Sequence, residues 1–488
     1  MKLKHRIFFF LLLFISLQTK ATVYYASPNG TDAAGTSKDA PGSLTSMIGK
    51  LKAGDELILL DGQYDLKNLI KITQSGTADQ YITISAADGT RPILDFREAP
   101  NKQNAIQLTG NYFHLKGFVL RYSGYKGIWV EKGKYNILEN LEVYGCCDSG
   151  IQLRSGGHNM VINCDSHDNF DYQANGGNAD GFADKQGDAC PGNIYIGCRA
   201  WNNSDDGWDS FQRVTDGTPT VYINCVTYHN GPASFNLSNH PRVKGVDAGL
   251  DCFKGKDLND FANGGNPNGF KLGGKGTLHN AELHRCLAVG HRSKGFDQNN
   301  NAGKMKVINC TSYQNKINYG FGNPYEYTLT IHNCISLDPQ DKHLAVASEG
   351  TVTQSHNSWN DGFSVSASDF ESLDVENLIL SPRKADGSLP ETLLLHLKST
   401  SPLIDKGLDY KSSNFEGEQI GSYVSYKGSA PDLGCYEYDS SASAVEALTL
   451  DDASLLNAHA PRYDLQGHRV DATYKGDVIQ LGRKFLQK

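Results

Sequence analysis

The sequence predicts an all-β chain wound as a right-handed parallel β-helix, and three observations lead there. A rung of the Val-Ile-Asn-Cys type recurs six times, a Gly followed by a large apolar residue recurs in phase with it, and no helical pattern separates the repeats. Self-similarity at a short fixed period marks a solenoid, in which each coil buries the face of the one before.

The chain opens with Lys2, Lys4, His5 and Arg6, then the apolar run Ile7 to Leu17 and the tripeptide Thr19-Lys20-Ala21. That order predicts a secretory signal peptide over residues 1–21, cleaved after Ala21. The run is too short to span a bilayer, and no later segment reaches the needed length. A secreted, periplasmic or cell-surface protein without a transmembrane segment is expected, and a monomer. The 488 residues carry a formal net charge of −8, which does not suit phosphate neutralisation, so no nucleic-acid partner is expected. An enzyme of this charge acting on an acidic polymer must supply positive charge locally, through a metal or a few placed Lys and Arg.

Residues 22–439 form the β-helix domain, with 22 to about 105 as an N-terminal cap leading into the first coils at Ala53–Leu60 and Tyr81–Ser85. The rungs Val161–Cys164, Tyr195–Cys198, Tyr222–Cys225, Leu283–Cys286, Val307–Cys310 and Ile331–Cys334 follow, preceded by the cysteine-free Ile137–Leu141. Successive cysteines lie 34, 27, 61, 24 and 24 residues apart. A unit near 24 residues with loop insertions fits, the third gap holding one coil plus a long loop. Each rung is short, β-branched and bounded by Gly, Asn or Asp, hence a strand. A β-propeller is the alternative, but its blades need about 40 residues. The six in-phase cysteines are expected as small buried thiols rather than disulfides; Cys146, Cys147, Cys190, Cys252 and Cys435 stay open. Asn140, Asn163, Asn224, Asn309 and Asn333 would pair their amides along the stack.

The second column reads Gly127-Ile128, Gly150-Ile151, Gly181-Phe182, Gly207-Trp208, Gly269-Phe270, Gly295-Phe296 and Gly320-Phe321. In a stacked coil, residues of equal phase become neighbours whatever their separation. Asp180 and Asp206 stand one place before the column glycine, Asp205 beside the latter, and Asp209 two places after it; Lys271 shares the phase of Asp209 one coil on. Four carboxylates in one patch repel unless a cation lies among them or some are protonated. Oxygen ligands in this number suit Ca²⁺, which takes 6–8. The Asp-Asp-Gly-Trp-Asp run alone is an ordinary acidic turn; its phase match with Asp180 is what makes Asp180, Asp205, Asp206 and Asp209 a candidate metal site. Lys271, about 5 Å from Asp209 by strand spacing, then becomes a candidate base beside the metal. Such a pair suits β-elimination on a uronate, in which a metal on the C6 carboxylate stabilises developing charge while a base removes the C5 proton.

Asn178-Ala-Asp180-Gly-Phe182, Ser204-Asp-Asp-Gly-Trp-Asp209 and Asn268-Gly-Phe-Lys271 resemble the motifs of family 9 polysaccharide lyases, the pectate lyase L type, and the resemblance runs over roughly residues 22 to 440. It implies a calcium-dependent lyase on galacturonate-containing pectic polysaccharide, either polygalacturonate or rhamnogalacturonan I. It also implies that the four aspartates are calcium ligands and Lys271 the Brønsted base. The long segment between Asp209 and Lys271 departs from the pattern and is expected to reshape the cleft. Arg292, Lys294 and, in the long segment, Arg242 with Lys244 are candidate contacts to substrate carboxylates. Trp208 is expected in the core rather than as a sugar platform.

Ser429–Tyr438 is expected as the closing edge of the helix. Residues 440–488 form a linker and tail resembling sorting or anchoring segments. Two rival functions share the fold. A polygalacturonase-type hydrolase would use paired aspartates about 6.5–9.5 Å apart, but no Gly-His-Gly segment of that type occurs and Lys271 would go unused. A non-catalytic glycan-binding β-helix would bind without cleavage.

Overall fold

The computed structural model describes residues 21–376, 381–408 and 426–439, with four short C-terminal strands between 462 and 487. The expected signal peptide, apart from Ala21, and the linker 440–444 lie outside the described residues.

From Val23 to Ser355 the chain winds through three parallel sheets. In chain order, the first has 12 strands, from Val23–Ala26 to Gly350–Ser355; the second has 10, from Gln63–Asp65 to Ile335–Leu337; the third has 10, from Ile70–Ile72 to Lys342–Val346. The short helix Leu44–Ile48, capped by the Ser43 side chain, buries Leu44, Met47 and Ile48 at the N-terminal end. Among the described residues no helix is long and apolar enough to cross a membrane.

The cysteine rungs stack in the predicted register. Val161, Tyr195, Tyr222, Leu283, Val307 and Ile331 are successive partners in the first sheet. The 61-residue gap between Cys225 and Cys286 therefore holds one coil, and its surplus forms an insertion with its own short hairpin, Ser234–Phe235 against Phe261–Ala262. All eleven cysteines are free thiols, and only Cys252 is not fully buried.

Among the asparagines beside those cysteines, Asn333 donates through Nδ2 to Asn309 Oδ1 at 3.1 Å, the pairing expected along the stack. Asn140, Asn163, Asn224, Asn309 and Asn333 all adopt left-handed φ of 51–56°. Asparagine tolerates that conformation at a tight corner better than other side-chain-bearing residues. Gly197 and Arg285 fill the same corner in the remaining coils. A second amide ladder runs at another corner. Asn203 donates through Nδ2 to Asn230 Oδ1 at 2.9 Å and accepts from Asn169 Nδ2 at 2.8 Å. That ladder braces the corner from which Ser204 and the aspartates emerge.

The glycine column holds from Gly127 to Gly295 and then slips. Phe296 pairs with Tyr319, so Gly320 stands level with Asp297 rather than with Gly295. At Gly207 a Cβ would lie 2.1 Å from Thr227 Oγ1 and 2.7 Å from the Gly269 carbonyl, so only glycine lets the coils close there. Behind the column, Phe182, Trp208, Phe270, Phe296 and Tyr319 stack at 4.7, 4.8, 5.1 and 5.0 Å, all with 0% exposure. This offset stack is the floor on which the outward side chains of the third sheet stand.

Ser429–Tyr438 does not close the end of the helix. Leu433 and Cys435 pack with Leu403, Leu394 and Ile335 on the outside of the second sheet. Asn309 Nδ2 donates to the Asp432 carbonyl at 2.7 Å, tying the segment to a side corner. The apolar outer positions of that sheet, Tyr228, Val289, Tyr313 and Leu337, provide the surface it covers.

Candidate catalytic and metal site

Register in the third sheet sets the site. Ile128, Ile151, Phe182, Trp208, Phe270 and Phe296 are successive partners pointing inward. Two places earlier, Lys126, Ser149, Asp180, Asp206, Asn268 and Lys294 therefore share one outward column. One place later, Trp129, Gln152, Ala183, Asp209, Lys271 and Asp297 share another.

Asp180, Asp205 and Asp206 are buried, and each offers a carboxylate oxygen within 4.8 Å of the others. Neighbouring donors fix all three. Asp205 accepts from the Asn178 backbone N–H at 3.0 Å and the Asn266 N–H at 2.9 Å. Asp206 Oδ1 accepts from the N–H and the Nδ2 of Asn268, both at 2.8 Å. Asp180 Oδ2 accepts from Ser149 Oγ at 2.9 Å. A cluster of hard carboxylate oxygens, oriented by outer hydrogen bonds and without sulfur or imidazole, fits a cation such as Ca²⁺. Asp209 stands outside this group of three and faces two ammonium groups instead.

Those are Lys271 and Lys185. Lys271 Nζ lies 2.9 Å from Asp206 Oδ2 and 3.4 Å from Asp209 Oδ1. Lys185 Nζ lies 2.8 Å from Asp180 Oδ2 and 2.9 Å from Asp209 Oδ2. Lys185 went unnoticed in the sequence because it follows the strand Phe182–Asp184 and its column neighbours, Arg154 and Phe211, are not acidic. Its phase beside the aspartate column was the available signal.

Charge balance within the cluster is tight. Burial pushes the Asp180 carboxyl up to about 7, with Lys185 opposing that rise. Burial likewise raises Asp206 well above the usual carboxylate range against the pull of Lys271. For Lys271, burial disfavours the charge, but Asp206 and then Asp209 outweigh it and hold the ammonium well above its ordinary value. With carboxylates alone as its surroundings, Lys271 is held as the ammonium, and added positive charge nearby would favour the neutral amine.

A cavity of about 470 Å³ opens on this centre, with Asp205, Asp209, Lys185 and Lys271 in its wall. The other expected substrate contacts lie elsewhere. Arg242 needs correcting: its side chain is 0% exposed, paired with Asp247 at 2.8 Å and donating to the Phe96 and Ala99 carbonyls at 3.1 and 2.8 Å. It pins the insertion to the coil body and cannot meet a polymer. Lys244 is exposed and bonds Asn239. Arg292 donates to the Asn263 and Gly265 carbonyls at 2.9 and 2.6 Å, clamping the returning arm of the insertion, and Lys294 pairs with Asp297 at 2.7 Å. Trp208 is core, as expected.

Residues 24–333 match the family described as Pel9A-like, right-handed β-helix region. The chain belongs to polysaccharide lyase family 9. As a member of that family it is a polysaccharide lyase on a right-handed parallel β-helix. Among its family 9 relatives, pectate lyase L of Dickeya dadantii (strain 3937) is 37% identical over 433 residues, covering 85% of this chain and 90% of that protein. The pectate lyase L of Dickeya chrysanthemi is 37% identical over 431 residues, with the same coverage. The crystal structure of pectate lyase Pel9A superposes with a TM-score of 0.72 at 36% identity, over 86% of this chain and 97% of the other. A rhamnogalacturonan lyase structure, with a TM-score of 0.64 at 24% identity over 78% of this chain and 97% of its own, shares the fold.

Proposed function

We propose that this lyase cleaves a pectic, galacturonate-containing chain by β-elimination, with polygalacturonate as its substrate ahead of rhamnogalacturonan I. The relatives at 37% identity are pectate lyases, which favours that order. The observation that carries the reading is the position of Lys271, one rung beyond Asp209, with Nζ 2.9 Å from a carboxylate of the acidic cluster. Asp180, Asp205 and Asp206 would hold Ca²⁺, with Asp209 as the fourth carboxylate. When bound, Ca²⁺ supplies two positive charges that polarise the substrate C6 carboxylate and offset the field that keeps Lys271 protonated.

The chain's own residues then do the following. The backbone donors of Asn178, Asn266 and Asn268 keep the carboxylates aimed together, so no rearrangement is needed when substrate arrives. Lys271, as the neutral amine, takes the C5 proton. The electron pair forms the C4=C5 double bond, the C4–O bond breaks, and the departing oxygen takes a proton from water. Export through the N-terminal signal would bring the enzyme to its extracellular polymer.

The test is incubation with polygalacturonate and with rhamnogalacturonan I, with and without calcium, while the ultraviolet absorbance of unsaturated uronate is followed. Calcium-dependent unsaturated product from polygalacturonate is expected. Saturated products alone, or turnover indifferent to chelator, would overturn the mechanism.

A further inference from the structure

The cavity continues from Asp209 toward the N-terminal coils, and Arg154 stands on that wall. Arg154 follows Leu153, the register partner of Asp184, so it lies one rung before Lys185 and three before the Lys271 rung. At strand spacing that is about 14 Å, further than one sugar ring reaches.

Four cations share the cavity wall, and three have carboxylate partners. Lys126 pairs with Asp148 at 3.0 Å, while Lys185 and Lys271 are held by the aspartate cluster. Arg154 is half-buried and makes no ion pair among the described residues. Its rung neighbour Glu131 accepts from Gln107 Nε2 at 2.9 Å instead. Beside it on the same wall, Gln152 is 3% exposed and its Oε1 has no hydrogen-bond partner; Trp129 Nε1 likewise has none. An unpaired guanidinium next to unsatisfied polar groups, in the cleft that holds the reacting centre, lacks a ligand rather than a fold contact.

We propose that Arg154 anchors the carboxylate of a second uronate, beyond the reacting one on the same chain. Guanidinium matches a carboxylate through two parallel hydrogen bonds, which gives geometric selection as well as charge. The subsite selects stretches in which that second carboxylate is free, and it rejects chains methyl-esterified there. This proposal rests on the assignment of Lys271 and the aspartates as the reacting centre.

The experiment compares wild type, Arg154→Gln and Arg154→Lys. On polygalacturonate, Arg154→Gln is expected to raise KM by about 10- to 100-fold with little change in kcat, the loss of a uniform charged contact. Arg154→Lys should recover part of it. On highly methyl-esterified pectin, and on oligogalacturonides too short to reach the Arg154 rung, variant and wild type should converge. Binding of polygalacturonate is measured in parallel in the Lys271→Ala background, so that affinity is read without turnover. Unchanged affinity and KM in Arg154→Gln, or an equal loss on every substrate regardless of ester content, would overturn the proposal. Failure of the lyase reading would look different: wild-type protein that binds polygalacturonate in an Arg154-dependent way and releases no unsaturated product.

Discussion

Lys185 donates to Asp209 Oδ2 at 2.9 Å, while Lys271 approaches the other oxygen of the same carboxylate at 3.4 Å. Burial opposes the Asp209 charge, yet Lys185 and then Lys271 hold this carboxyl below the usual range. Lys185 also bonds Asp180, so one ammonium offsets two buried carboxylates. A resident cation and a divalent ion therefore answer the same electrostatic need.

Lys185→Met should thus lower stability in chelator by about 3 kcal/mol, because it leaves buried carboxylates without a partner. Added calcium should restore more of the melting temperature in the variant than in wild type. Melting curves with and without millimolar calcium check this; identical curves for the two proteins would contradict it.

Lys271→Ala should keep the fold and calcium-dependent stabilisation while kcat falls by about 10²- to 10⁴-fold, the range for losing a positioned proton-transfer group. Circular dichroism, calcium-dependent melting and unsaturated-product assays together separate lost chemistry from lost structure. Turnover near wild type would remove the proposed base.

Trp208 sits between Phe182 and Phe270 with no exposed surface. Trp208→Ala should cost about 3–5 kcal/mol through the cavity it leaves, and should also loosen the Asp209 rung above it. Denaturant unfolding measures the first effect. The second appears as weaker calcium binding under conditions where the variant is still folded.

His167 lies 2.5 Å from Asp168 and 3.3 Å from Glu142, stacked between Tyr144 and Trp201. Burial disfavours its charge, but Asp168 and then Glu142 outweigh it and raise the imidazole from 6.5 to about 9. A raised folded-state pKa gives stability that is complete below pH 6.5 and is lost as pH climbs through 9. His167→Gln should therefore be less stable than wild type by about 2 kcal/mol at pH 6, with the gap closing toward pH 9. A constant gap across that range would refute the linkage.

Periodicity made much of this molecule legible. The cysteine rungs and the glycine column fixed which residues share a phase, and that alone brought Asp180, Asp206, Asp209 and Lys271 to one sheet face. Contacts that leave the period were hidden. Arg242 looked like a spare cation because its carbonyl partners at Phe96 and Ala99 lie 146 and 143 residues away in an unrelated coil. The second amide ladder, at Asn169, Asn203 and Asn230, lies outside the Asn-Cys motif, although its 34- and 27-residue steps are those of the cysteine rungs. Lys185 belongs to a short loop after its strand, where phase is weakest as a guide.

The insertion before Lys271 leaves its coil and returns without displacing a single rung, since Tyr222 and Leu283 still face each other. Its returning arm, through Asn266 onto Asp205 and under the Arg292 clamp, is the portion tied to the reacting centre. The outer hairpin is free of that duty. A change confined to the hairpin strands Ser234–Phe235 and Phe261–Ala262 therefore leaves the spacing between amine and carboxylates where the coil register sets it.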